Sequence, residues 1–155
     1  MQASSKEIYR HKQRVGWILW GPIIIVITVA AYMGFGYRQY EGFVPVAILL
    51  VVTYFFDSLT VIVETERLRF FFGPGLVRKS FSLAEIKSCR AVRNKWYYGV
   101  GIHLTPHGML YNISGLDGIE LQLQSGRKVR IGTDEPQKLS ELVNRLMREK
   151  ERHMR

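Results

Sequence analysis

The sequence predicts a two-helix transmembrane hairpin followed by a mainly-β barrel of about seven antiparallel strands, capped by a C-terminal α-helix. Three observations predict it. Val15–Met33 and Phe43–Phe56 are apolar runs without a charged side chain. After Asp57 the pattern changes from continuous to alternating. Near the end, Leu139, Leu142, Val143, Leu146 and Met147 form one helical stripe at i, i+3, i+4, i+7 and i+8.

The first run has about the length a helix needs to cross a bilayer core of roughly 30 Å. Its apolar stretch exceeds that of a usual signal peptide, and no small-residue cleavage site precedes polar sequence, so it is expected to be retained. Trp17, Trp20, Tyr32, Tyr37, Tyr40 and Tyr54 flank the runs as an interfacial aromatic belt would. Pro22 removes a helix donor and predicts a kink, whereas Pro45 falls in a first turn, where a missing N–H costs little.

The 155 residues carry a formal net charge of +9. Lys6, Arg10, Lys12 and Arg14 precede the first run, many more basic residues follow the second, and Arg38 alone lies between them. The positive-inside bias therefore places both termini of this multi-pass chain in the cytoplasm. The implied organisation is a basic tail over 1–14, the hairpin over 15–57 and a cytoplasmic domain over 58–155. Neither run carries an acidic or basic side chain, which argues against a proton or ion pathway. Cys89 is the only cysteine, so no intrachain disulfide forms.

In the alternating region, a tight turn at Thr65-Glu66 sets Val63 against Leu68 and Val61 against Phe70. Gly73-Pro74-Gly75 marks the next turn. Further strands are expected near Leu76–Phe81, Ile86–Arg93, Ile102–Thr105, Met109–Ile113, Gly118–Gln124 and Lys128–Gly132. Ser82-Leu-Ala-Glu85 has capping-box spacing. Thr133 and Asp134 are N-cap candidates for the last helix, with Glu135 and Pro136 in its first turn.

The stretch Gly99-Val-Gly-Ile-His-Leu-Thr-Pro-His-Gly-Met-Leu-Tyr-Asn-Ile-Ser-Gly115 is followed by Ile119-Glu-Leu-Gln-Leu, Ser125-Gly-Arg and Ile131-Gly-Thr-Asp-Glu-Pro136. Together they resemble the bacterial pleckstrin-homology-like (PH-like) membrane proteins, in which a transmembrane hairpin commonly precedes the barrel. The resemblance extends over nearly the whole chain. It implies the PH-like fold and a place in a bacterial inner membrane, and carries no particular activity. Phosphoinositide-binding members use basic residues around the first hairpin. Here that turn is Glu64-Thr-Glu66, so the resemblance does not bring specific phosphoinositide binding with it.

No nucleophile–base–orienter set is visible, and the reading is a non-enzymatic module. Gly73-Pro-Gly-Leu-Val-Arg-Lys-Ser80 lacks the glycine before lysine of a phosphate loop and precedes a strand. His103 and His107, with Cys89 the one obvious additional ligand, fall short of a zinc set. The sequence assigns no cofactor, no metal and no nucleic-acid partner.

The loop from Arg93 to Gly101 is the functional candidate. Lys95, Trp96, Tyr97 and Tyr98 form either a partner-binding patch or a plug at the end of the barrel. Arg93, Lys95, Lys128 and Arg130 are the candidate contacts to anionic lipid headgroups. The expected function is a membrane-anchored scaffold that binds a protein partner or its own copies. Headgroup binding at the inner leaflet is the alternative, and an enzyme with an unrecognised site is a third reading.

Overall fold

The computed structural model describes residues 6–15, 20–37, 41 and 43–153. Trp17, Arg38 and Tyr40 lie outside them. Strand β1 (Glu7–Arg14) is followed by helices α1 (Trp20–Tyr37) and α2 (Phe43–Phe56). Then come β2 (Ser58–Glu64), β3 (Arg67–Phe72), β4 (Arg78–Ser82), β5 (Ile86–Arg93), β6 (Gly101–Thr105), β7 (Gly108–Asn112), β8 (Asp117–Leu123) and β9 (Lys128–Gly132). Helix α3 (Pro136–His153) closes the chain.

The strands form two open sheets, with orders β1-β2-β3-β4 and β5-β8-β9-β7-β6. This overturns the closed PH-like barrel, and the family resemblance built on it, for two reasons. First, Leu83–Glu85 is a 3-10 turn that carries the chain from one sheet to the other, with Ser82 capping it through the Ala84 N–H. Second, β9 inserts between β8 and β7 and runs parallel to β7, with Met109 against Val129 and Tyr111 against Ile131. An antiparallel meander has no such pair. The insertion depends on Gly108, whose φ is +96° and whose missing side chain lets the Lys128 carbonyl close in.

The transmembrane hairpin is likewise overturned: among the described residues no helix is long and apolar enough to cross a membrane. Helix α1 runs Trp20–Tyr37, 18 residues, and does not include Val15. Helix α2 has 14 residues. Their rises, about 27 Å and about 21 Å, fall short of a core of roughly 30 Å. The multi-pass inner-membrane placement and the cytoplasmic assignment of both termini rested on those spans and go with them. The two helices pack on each other through Ile23, Ala30 and Val46, and Gly34 admits the Phe43 ring against the α1 backbone.

The segment read as a basic tail is strand β1. It pairs antiparallel with β2, His11 opposite Val61 and Arg14 opposite Ser58. Its half-buried side chains are Tyr9, His11 and Gln13, and its charged ones point outward. Tyr9 donates to Glu135 at 2.7 Å and His11 meets Asp134, so the strand is fastened to the start of α3. Gln13 donates to the Ser114 carbonyl at 3.1 Å. Burial pushes the Tyr9 hydroxyl above its ordinary pKa, and the Glu135 carboxylate adds to the effect.

The first hairpin has the register expected from alternation, Val63 on Leu68 and Val61 on Phe70. Between the sheets lies one core, with Phe70, Phe72, Leu68, Ile119, Leu121 and Ile131 fully enclosed. Helix α3 seals it with Leu139 and Val143. It also closes the free edge of β5. The Asn144 amide donates to the Cys89 carbonyl at 2.7 Å and accepts from the Cys89 N–H at 3.3 Å, as a further strand would.

Candidate aromatic binding site

Alternation fixes which residues of the second sheet face away from the core. Cys89, Leu121, Val129 and Tyr111 point inward. Arg90, Glu120, Arg130, Leu110 and His103 therefore stand in one transverse row on the other face, each opposite the next across β5, β8, β9, β7 and β6.

The centre of this row is a buried ion cluster. The Glu120 side chain is only 2% exposed, and Arg130 is 8% exposed. Arg130 Nε donates to Glu120 Oε2 at 2.8 Å, and Arg90 donates to Oε1 from Nη2 at 2.6 Å. Burial pushes the Glu120 carboxyl up, but hydrogen bonds from Arg130 and Arg90 outweigh it and hold the group below its ordinary range.

The segment after β5 crosses this face and is anchored at both ends. At the near end Arg130 Nη1 donates to Asn94 Oδ1 at 3.2 Å, and Asn94 is buried. At the far end Asn112 Nδ2 donates to the carbonyls of Gly99 and Gly115, and His103 Nε2 donates to the Val100 carbonyl at 2.7 Å. Between these anchors, Trp96–Tyr98 is a single 3-10 turn. With its ends fixed, the turn projects its rings outward.

Trp96 is 79% exposed and Tyr97 is 58% exposed. The rings meet edge to face, Trp96 and Tyr97 with centroids 6.0 Å apart and Tyr97 and Tyr98 with centroids 5.0 Å apart. The Lys95 ammonium lies 5.5 Å from the Tyr97 centroid, within cation–π range. These contacts restrict the rings before any partner arrives, which reduces the ordering cost of binding. The plug suggested by the size of the rings does not apply to Trp96 or Tyr97, which are exposed.

The other candidates separate. Arg93 is exposed, 4.0 Å from Asp117. Lys128 is half-buried. Arg130 is committed to Glu120 and Asn94, inside the platform. The anchors Asn94, Asn112 and Glu120 were not singled out by sequence, where isolated Asn and Glu near turns read as ordinary turn chemistry.

Among the described residues no cluster of three or more metal-ligating side chains occurs. His103 is turned to the Val100 carbonyl. Cys89 lies buried, and burial pushes its thiol up to about 12, so it is neither a ready thiolate ligand nor a ready nucleophile. No protein-family model matches the chain, and no curated protein matches it.

Proposed function

We propose that the chain is a non-enzymatic binding module that docks a protein partner through the turn Lys95–Tyr98. The observation that carries this reading is the outward-facing Trp96–Tyr97 pair on a turn fixed at both ends. Exposed aromatic anchors beside a cation are the composition that concentrates binding energy at protein interfaces.

Charge selects the partner's chemistry. With a net charge of +9, two copies of the chain repel each other. Arg93 and Lys95 flank the rings, so the complementary surface is an apolar pocket rimmed by carboxylates. Headgroup binding through Arg93, Lys95, Lys128 and Arg130 is less favoured, because Arg130 is neutralised by Glu120.

The test is a paired measurement on the full chain and its reconstituted partner. Replacing both Trp96 and Tyr97 by Ala is expected to weaken binding by about 30-fold or more, as hot-spot truncation does. The urea midpoint is expected to stay put, since both rings are exposed. Unchanged affinity, or salt-dependent binding to anionic vesicles that survives the substitutions, would overturn the reading.

A further inference from the structure

Two clefts meet where the helical pair joins the β-domain. The first has a volume of about 710 Å³ and is walled by Ile23 and Val26 of α1, Val52 and Phe56 of α2, Ile102 of β6 and Ile113 just after β7. The second, about 780 Å³, opens beside Lys12, Arg14 and Asp57. They share Val15, Trp20 and Thr53 as lining, so an apolar limb and a charged limb lie side by side across these residues.

The apolar limb has little to offer a polar ligand. Besides the Trp20 indole, its polar side chains are Thr53 and Asn112. The Thr53 hydroxyl already donates to the Leu49 carbonyl at 2.8 Å. The Asn112 amide donates to Gly99 and Gly115, and its oxygen accepts from the Ser114 N–H. Water held there finds few partners, and hydrocarbon replaces it favourably. The size falls in the range of small-molecule sites.

The charged limb carries two cations against one carboxylate. Among the described residues neither Lys12 nor Arg14 has an ion-pair partner. A ligand that fills both limbs needs a hydrocarbon chain and a single negative head.

We propose that this joint binds a single-chain anionic amphiphile of the fatty-acid class, its chain in the apolar limb and its carboxylate at Lys12 and Arg14. The site lies apart from Trp96 and Tyr97 and does not depend on the protein-docking role.

Calorimetric titration of the full chain with laurate, below its micellar concentration, tests it. Saturable 1:1 binding is expected, with dodecylamine at least about tenfold weaker because its head is repelled. The pair Lys12→Glu and Arg14→Glu, both at exposed strand positions, should weaken laurate about tenfold and favour dodecylamine. Val52→Trp, which fills the apolar limb, should abolish binding of both. Absence of saturable laurate binding, equal binding of the two amphiphiles, or laurate binding that the charge reversal leaves unchanged would overturn the proposal.

Discussion

Replacing Glu120 by Gln is expected to destabilise the protein by about 3–5 kcal/mol, the usual cost of stranding a buried charge. The two arginines respond differently. Arg90 is 63% exposed and turns to water, whereas Arg130 at 8% has no such route. The cost therefore comes mainly from Arg130. Pairing Glu120→Gln with Arg130→Met should recover most of the loss, because a buried ion pair often matches an apolar pair of similar volume. The stability contributed by Glu120 also has a pH signature. Its folded carboxyl is held below the ordinary range. The contribution is thus complete above the unfolded pKa and is lost as pH falls through the folded one. Urea unfolding of wild type and Glu120→Gln across the acid range checks this: the two midpoints should converge at low pH. A constant difference would contradict the assignment.

The second large effect is expected at Phe70. This residue of β3 is fully enclosed and touches both sheets, with its ring 6.3 Å from Phe81 and 4.9 Å from Tyr111. The two open sheets share no ladder, so packing such as the Phe70–Tyr111 contact holds them together. Phe70→Ala removes a large ring from a site whose backbone is fixed by pairing to Val61 and Lys79. Collapse into the space is limited, and about 3–5 kcal/mol should be lost. For a chain of this size that is about 10 °C in Tm. Phe70→Leu, which fills most of the volume, should cost less than half as much. Calorimetric scans of the two variants decide it, and a loss below about 1 kcal/mol for Phe70→Ala would mean the sheets are not joined through this ring.

Local pattern was legible in the sequence and long-range pairing was not. The β2–β3 hairpin was readable because one slip in register would expose Val61, Val63, Leu68 and Phe70 together. The stripe of α3 was readable for the same reason at helical period. Strand β1 went unread although its alternation is present. Tyr9, His11 and Gln13 occupy the inward phase, but they are polar, and their partners Glu135, Asp134 and Ser114 lie more than a hundred residues on. The neighbouring charges pointed to membrane topology instead. The apolar runs misled in a related way, because composition measures hydrophobicity and not helix length, and the helices formed there run Trp20–Tyr37 and Phe43–Phe56. The β9 insertion was hidden because parallel pairing leaves no local pattern, with Gly108 the one available sign. At the candidate site the aromatic cluster was conspicuous. Its support was not, since Glu120 looks like any solvent-facing residue of an alternating strand until Arg90 and Arg130 are placed on either side.

The docking role is tested most directly by a photo-crosslinking amino acid placed at Tyr97 in the full chain, with the same group at exposed Arg127 as the comparison. One discrete adduct is expected from position 97 to a protein with an acidic surface, suppressed by Trp96→Ala and absent from position 127. Adducts to a second copy of the chain, adducts to lipid alone, or equal labelling from both positions would contradict it.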